Sequence, residues 1–264
     1  MISIANLEIH VAHSCNLFCN QCTHYSNFSH KGVLSAEEAD RQMALWSDRI
    51  SPRMFSMLGG EPAVNKELCD IVRIARKHWK NKMQLVSNGF LLKNHPDLPK
   101  VLIDTDCNLE ISVHHNSEEY QEKFRPVREL LLEWQEKWGI QLNIRQSVDR
   151  WTRTYQGSGS DMKPYNDRKP EQSWKVCRAK WCPQILDGKI YKCPQLAYLP
   201  MQLEKIGITE GWENYLLYKP IEPDCTYREL EEFLNRKAEY YCNMCPAYPE
   251  LFQLQNPLRK TDEQ

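Results

Sequence analysis

Three cysteines near the start of the chain have the types and spacing most suited to chemistry. The segment CNLFCNQC places Cys15, Cys19 and Cys22 in a C-x3-C-x2-C pattern directly after the strand-like segment LEIHVAH. A structural zinc site uses four protein ligands, and a cubic 4Fe–4S cluster has four corners. Three thiolates therefore leave one metal position open for chemistry. A partial zinc site completed by His13 or His24 is the alternative that these residues leave open.

The overall composition is that of an ordinary globular chain. It has 264 residues, of which 41% are hydrophobic and 26% are charged, and its 34 basic residues nearly balance 35 acidic ones. Such a balance gives no field that would attract nucleic acid or an anionic membrane. The sequence also has no signal-peptide pattern and no apolar run long enough to span a bilayer. We therefore expect a cytoplasmic protein of one large or two small domains, with no nucleic-acid or membrane partner.

A second set of cysteines lies in the last third of the chain. Eleven cysteines in a reducing compartment favour metal or redox chemistry over disulfides. Two members of this set flank a DG dipeptide, which is typical of a tight hairpin, and two form a C-x2-C pair. The four residues are Cys177, Cys193, Cys242 and Cys245. Four thiolates complete either a zinc site or a four-cysteine iron–sulfur cluster, and the residues alone leave both open.

The elements that must position these cysteines follow a strand–helix alternation. Strand patterns cover 4–11, 54–58, the segment KMQLVSNG, 109–114 and 140–146. Ser35 with Glu38, and Thr226 with Glu229, have the spacing of a helix capping box. The alternation predicts an α/β fold with a parallel sheet and right-handed crossovers, either an open doubly wound sheet or a full or partial barrel.

Polar and glycine-rich motifs follow successive predicted strands. The cysteine loop follows the first strand, GGEP the second and SNG the third, and His114-His115 closes the fourth. Because the carboxyl ends of parallel strands meet at one edge, we expect these motifs to converge on one ligand-binding rim. The glycines suit a close approach of the backbone to a ligand, although GGEP alone is also a common turn.

Together, CNLFCNQC, GGEP and SNG in this order resemble the radical S-adenosylmethionine (SAM) enzymes, over roughly residues 1–150. The resemblance implies a partial (β/α) barrel and a 4Fe–4S cluster held by Cys15, Cys19 and Cys22. It implies that the open iron binds SAM, and that one-electron reduction cleaves SAM to methionine and a 5′-deoxyadenosyl radical. The electron would come from a reducing donor of the flavodoxin or ferredoxin type.

The same resemblance assigns contacts to SAM. It implies that the methionine amino group is met by Gly59, Gly60 and Glu61. The resemblance also implies further contacts to SAM from Ser87, Asn88 and Ser112. The family usually has an aromatic residue just before the third cysteine, near the adenine, and Gln21 stands there in this chain.

The second cysteine set resembles the "twitch" domain, a short auxiliary-cluster domain attached to radical SAM cores, as in the 2-deoxy-scyllo-inosamine dehydrogenase type. The resemblance implies one auxiliary 4Fe–4S cluster held by Cys177, Cys193, Cys242 and Cys245. Cys182 is left over. It could replace Cys177 as a ligand, or its thiol could donate a hydrogen atom to a substrate radical.

These observations divide the chain into four parts. We expect a radical SAM core at 1–150, a substrate loop or linker at 151–176, a twitch-like β-hairpin and helix domain at 177–250, and a tail at 251–264. The segment between the cysteine sets is rich in basic and aromatic residues, which suit a polar substrate. Our candidates for substrate contact, or for removal of a proton, are Arg145, Arg150 and Arg153.

Three functions compete. The first is a radical SAM oxidoreductase or epimerase acting on a small polar substrate such as a carbohydrate, cyclitol or nucleotide sugar. The second is a maturase of ribosomal peptides, but such enzymes commonly carry an added peptide-recognition domain, and the first strand begins close to Met1. The third, a non-enzymatic zinc-binding protein, is disfavoured by GGEP and by the three-cysteine loop.

Overall fold

The central element is a mostly parallel sheet of seven strands. The computed structural model describes residues 1–148, 151–208 and 210–258. The sheet strands are β1 (Ile2–Ala12), β2 (Ile50–Gly59), β3 (Lys82–Ser87), β4 (Cys107–Val113), β5 (Leu142–Gln146), β7 (Gln184–Leu186) and β8 (Lys189–Tyr191), and the short β6 (Trp151–Thr152) pairs separately with β9 (Leu251–Phe252). Their order is β5-β4-β3-β2-β1-β7-β8, and the sheet does not close. The predicted α/β fold with a partial barrel is confirmed.

The structure describes seven α-helices. They are α1 (Ala36–Ala44), α2 (Leu68–His78), α3 (Leu98–Asp104), α4 (Glu118–Trp138), α5 (Pro170–Val176), α6 (Pro194–Ile206) and α7 (Tyr227–Asn235). Of these, α1–α4 lie between the first five strands and pack side by side. The capping box of Thr226 with Glu229 is confirmed. At Ser35 only half of the predicted box forms: the Ser35 hydroxyl accepts from the Glu38 amide at 3.1 Å, but the Glu38 carboxylate bonds Arg41 and Gln42 instead. In the described part of the chain, no helix combines the length and apolar character needed to cross a bilayer.

Two hydrophobic cores stabilise the chain. The larger core lies between the sheet and helices α1–α4, and it buries Trp46 and Trp79 completely or nearly so. The smaller core joins α6 to the segment that follows β6, through buried Tyr155, Met162 and Tyr198. The predicted substrate loop is therefore a packed segment, with two of its side chains at the centre of a core.

The β7–β8 hairpin attaches the second cysteine set to the main sheet. Its tip has positive φ angles at Asp187 (52°) and Gly188 (77°), as a tight hairpin turn requires, so the predicted hairpin is confirmed. Strand β7 pairs in parallel with β1, and the indole of Trp46 donates to the Gly188 carbonyl at 3.0 Å. The hairpin continues the core sheet, while the four predicted domain limits stay a prediction.

The hairpin tip can be tested with two glycine variants. We expect Gly188→Ala to lower the free energy of unfolding by about 2 kcal/mol, because left-handed strain costs about 1 kcal/mol and the new Cβ would crowd Leu45 Cδ1 at 3.0 Å. Gly207→Ala is the matched control, since its φ is 69° and no atom lies within 4 Å of the added Cβ. Anaerobic denaturant unfolding of both metal-free variants would measure the difference. Equal losses of unfolding free energy in the two variants would contradict tight packing at the hairpin tip.

Candidate active site

A cavity of about 780 Å³ opens at the carboxyl ends of the parallel strands. It is lined by residues that directly follow β1, β2, β3, β4 and β5, and by parts of the chain around both cysteine sets. Thiols from the two sets therefore face one common space. This is the convergence that the order of motifs along the chain predicts.

The cysteine loop is held in place by close backbone packing against GGEP. The Gly60 amide donates to the Ala12 carbonyl at 2.8 Å, and the Glu61 amide donates to the Ser14 carbonyl at 2.9 Å. A Cβ added at Gly59 would lie 2.3 Å from the Ala12 oxygen, and one at Gly60 would lie 2.1 Å from the Ser14 oxygen. Glycine is required at both positions because the two loops touch through their main chains.

The Glu61 side chain holds the loops after β2 and β3 together. Its buried carboxylate accepts from the Ser87 hydroxyl at 2.7 Å, the Asn88 amide at 2.7 Å and the Ala63 amide at 3.0 Å. Burial raises the pKa of Glu61, and these three donors oppose that rise. Glu61 is not among the residues that line the cavity, whereas Gly59 and Gly60 are.

The three thiols of the first set line the cavity, with Cys19 buried and Cys15 and Cys22 half-buried. Cys15 Sγ accepts from the Leu17 amide at 3.4 Å and from Asn88 Nδ2 at 3.7 Å. Burial, with a smaller contribution from the Glu61 carboxylate, raises the pKa of Cys15 to about 12. Burial also raises the pKa of Cys19, and the charges of the other two thiols of the set add to that rise. The three sulfur atoms are therefore close enough to interact electrostatically.

Two histidines considered as zinc ligands contact a third histidine instead. Nε2 of His10 lies 2.5 Å from Nδ1 of His24, and Nδ1 of His10 lies 3.3 Å from Nδ1 of His13. Among residues 1–148, 151–208 and 210–258, no three His, Cys, Asp or Glu side chains are arranged to hold a single metal ion.

The second set of four thiols surrounds a small pocket of about 30 Å³. All of the predicted ligands line it: Cys177, Cys193, Cys242 and Cys245. Burial raises the pKa of Cys245, and the charges of the other three thiols raise it further. Cys182 lies elsewhere, where Asn6 Nδ2 donates to its sulfur at 3.7 Å. Of the two alternative ligands, Cys177 lines the small pocket and Cys182 does not, while both line the main cavity.

Both sets offer donors that suit iron–sulfur clusters. The first supplies three thiols beside an open cavity, which matches a cluster with one position left for a ligand. The second supplies four thiols around one small pocket, which matches a fully ligated group. Cys15, Cys19 and Cys22 would hold the first group, and the four later cysteines would hold the second.

The remaining predicted contacts lie at the cavity wall. Ser87, Asn88 and Ser112 all line it, and Arg145 Nη2 donates to the Ser112 hydroxyl at 3.0 Å. Arg153 also lines it, with its guanidinium 4.9 Å from the centre of the Phe252 ring. Arg150 lies outside the described residues.

Gln21 occupies the position where the resemblance leads one to expect an aromatic residue. It lines the cavity with a φ of 63°, and its side-chain oxygen accepts from the backbone amides of Thr154 and Tyr155 at 3.0 and 3.4 Å. Gln21 therefore ties the cysteine loop to the segment after β6, a role that an aromatic ring could not fill.

Two further polar residues line the cavity: Glu8, which the sequence analysis missed, and His114, which it placed at the rim without a role. Glu8 is buried in β1 and contacts Cys182, and His114 has a buried Nδ1 with no partner among the described residues. Burial and the nearby Arg145 lower the pKa of His114 to about 4. A signal for Glu8 was present, because Glu8 and His10 are polar residues spaced by two in an otherwise apolar strand, which puts both on one face.

One protein-family model matches the part of the chain that contains the first cysteine set. Residues 9–134 match the family model of the radical SAM superfamily. This match covers just under half of the chain, and the radical SAM superfamily implies a 4Fe–4S cluster and SAM as cofactors.

Two curated relatives match part of the chain. GTP 3′,8-cyclase of Rhodopirellula baltica is 33% identical over 94 residues, which are 34% of this chain and 26% of the relative. The 7,8-dihydro-6-hydroxymethylpterin dimethyltransferase of Methanocaldococcus jannaschii is 34% identical over 102 residues, which are 37% of this chain and 19% of the relative. The chain thus aligns with about a quarter or less of the length of these two proteins.

Solved structures also resemble the chain. One is the structure of anSMEcpe with bound AdoMet, with a TM-score of 0.43 and 20% identity. That match covers 54% of this chain and 43% of anSMEcpe. Another is SuiB of Streptococcus suis bound to the precursor peptide SuiA, with a TM-score of 0.40 and 13% identity. That match covers 88% of this chain and 65% of SuiB.

Iron counting tests the two cysteine sets. After anaerobic reconstitution we expect about eight irons per chain in the parent, and about four in either the Cys15/Cys19/Cys22→Ala or the Cys193/Cys242/Cys245→Ala variant. Iron, sulfide and zinc would be measured together. If the second set binds zinc instead of a cluster, the Cys193/Cys242/Cys245→Ala variant would lose zinc and keep the iron count of the parent.

Cys182→Ala is the matched control for this experiment. Because Cys182 lies outside both sets, we expect its removal to leave about eight irons, whereas Cys177→Ala should lower the count. Loss of iron from Cys182→Ala with none from Cys177→Ala would reverse the ligand assignment.

Proposed function

We propose that this chain is a radical SAM enzyme that removes a hydrogen atom from a small polar substrate, such as a carbohydrate, cyclitol or nucleotide sugar, and oxidises or epimerises it. The observation that carries the proposal is the single cavity lined by thiols of both cysteine sets and by hydrogen-bonding side chains. The bound cluster and SAM supply the 5′-deoxyadenosyl radical when the enzyme is loaded. A reducing donor of the flavodoxin or ferredoxin type would provide the electron.

Substrate binding would depend on the polar wall of the cavity. Gln84, Ser112, Arg145 and Gln195 line it and offer amide, hydroxyl and guanidinium groups to hydroxyl or phosphate oxygens. Arg145 is already oriented by its hydrogen bond to Ser112. These groups support a hydrophilic small molecule as the substrate.

Proton removal from a hydroxyl-bearing radical is better suited to His114 than to the arginines. An arginine side chain stays protonated in proteins, so it can bind an anion but cannot act as a base. His114 faces the cavity, its lowered pKa keeps it neutral near pH 7, and its Nδ1 has no partner among the described residues. It could therefore accept the hydroxyl proton in an oxidation.

The position of the second cysteine set supports oxidation as one outcome. Cys177 and Cys245 line both the small pocket and the main cavity. A redox-active group held there would lie at the wall of the substrate space. With zinc there instead, the redox-neutral outcome would be favoured.

A substrate screen tests the proposal. The reconstituted protein, SAM and dithionite would be incubated anaerobically with nucleotide sugars, aminocyclitols, free sugars and short peptides, and 5′-deoxyadenosine would be measured. We expect one of the carbohydrate-like classes to stimulate its formation, with a product that is two hydrogens lighter or that is epimerised. Stimulation by peptides alone would favour a peptide maturase, and the absence of SAM cleavage would contradict a radical SAM enzyme.

Arginine variants sharpen this screen. We expect Arg145→Gln to lower substrate-stimulated 5′-deoxyadenosine formation at least about tenfold, because a charged hydrogen-bond donor is lost, while slow cleavage without substrate continues. Arg125→Gln is the matched control, since Arg125 lies on the exposed surface of α4, paired with Glu122. If the two variants lower 5′-deoxyadenosine formation equally, Arg145 does not bind the substrate.

A further inference from the structure

A buried carboxylate stands beside the one cavity cysteine that neither set uses. Glu8 is 6% exposed, and Asn6 Nδ2 donates to its Oε1 at 2.6 Å, while Gln184 Nε2 donates to its Oε2 at 2.5 Å. The amide of Asn6 also donates to Cys182 Sγ, at 3.7 Å. The Asn6 amide thus hydrogen-bonds both Glu8 and Cys182, and both of these residues line the main cavity.

These contacts lead to an inference that rests on the proposed function and adds a residue to it. We propose that Glu8 is a positioning residue that holds the Cys182 thiol protonated and at the cavity wall, where it donates a hydrogen atom to a carbon radical. The same contact keeps Cys182 from replacing Cys177 in the second cysteine set.

The environment of the pair favours a neutral thiol. The amides beside Glu8 carry no charge, and burial raises the pKa of Glu8. Burial, followed by the charge of Glu8, raises the pKa of Cys182. Among the described residues, two other titratable groups interact with the pair: Cys177, from the segment before Cys182, and Tyr198 on α6, which donates to Gln184 Oε1 at 3.2 Å. Neither can carry a positive charge that would stabilise a thiolate.

The step balances with groups already named. The S–H bond of Cys182 breaks and a C–H bond forms at the carbon radical, leaving a sulfur radical on Cys182. A one-electron donor of the flavodoxin or ferredoxin type, or dithionite in the test tube, reduces this sulfur, which takes up a proton from solvent through the open cavity.

The role of Glu8 can be tested without any turnover. The cluster-loaded protein would be treated with iodoacetamide from pH 7 to 10, and alkylation of Cys182 would be followed by peptide mass spectrometry. We expect Glu8→Gln to raise the Cys182 rate at pH 8 at least about fivefold, because loss of a nearby negative charge lowers the pKa of a thiol. Cys225, which lies far along the chain near α7, serves as an internal reference.

Two variants control for a purely structural effect. Tyr198→Phe removes the donor to Gln184 but leaves the charge of Glu8, so the Cys182 profile should stay unchanged. Glu8→Asp keeps the charge and should retain most of the parent profile. If Glu8→Gln leaves the profile unchanged, or if Tyr198→Phe shifts it equally, the role of Glu8 is overturned whether or not the protein cleaves SAM.

Hydrogen donation is tested separately with SAM alone. In D2O with dithionite and no substrate, we expect the parent to form 5′-deoxyadenosine that carries one deuterium from the Cys182 thiol, and Cys182→Ser to lose at least about nine-tenths of that label, because a hydroxyl is a much poorer hydrogen-atom donor than a thiol. Unlabelled product in the parent, or full label in Cys182→Ser, would overturn the donor role. Failure to cleave SAM at all would count against the proposed function, and the alkylation result would still decide the role of Glu8.

Discussion

The contact on which the site most depends is the main-chain packing between the ends of β1 and β2. The cysteine loop can leave β1 in its observed direction only because Gly59 and Gly60 have no side chain to collide with the carbonyls of Ala12 and Ser14. Hydrogen bonds from two amides of GGEP then fix the start of the loop. Glu61, buried behind this contact, extends it to the loop after β3. Three consecutive strand ends are thereby joined by main-chain geometry and one carboxylate.

The cost of building a polar site into a buried sheet is visible in β1. Buried polar groups are tolerated only when they are hydrogen-bonded, and Glu8 and His10 each have partners of this kind. The ring of His10 also stacks on Tyr198 of α6, with ring centres 3.7 Å apart. Because Tyr198 bonds Gln184 as well, the polar residues of β1 are supported by the segment that carries the second cysteine set. The two halves of the site are thus mutually dependent.

The sequence analysis succeeded where local rules determine structure. The alternation of elements, the caps at Ser35 and Thr226 and the hairpin at Asp187-Gly188 follow from short-range preferences, so they could be predicted with their approximate limits. The convergence of motifs follows from the common edge of parallel strands. What could not be predicted was the long-range pairing of β7 with β1, which depends on contacts between residues far apart in the chain. Without that pairing, neither the partner of Glu8 nor the choice between Cys177 and Cys182 could be inferred.

That same pairing determines how the two cysteine sets relate to each other. Since β7 hydrogen-bonds to β1, the segments on either side of the hairpin are positioned by the strand that precedes the first cysteine loop. Tyr25, 1% exposed, lies between the two sets: burial raises its pKa, and charges on Cys245, Cys193 and Cys22 raise it further. The pKa of the Tyr25 phenol can be raised by thiols of both sets only if the two sets lie close together. A group held by the second set would therefore share its surroundings with the first, and a change in the charge of either would be felt by the other.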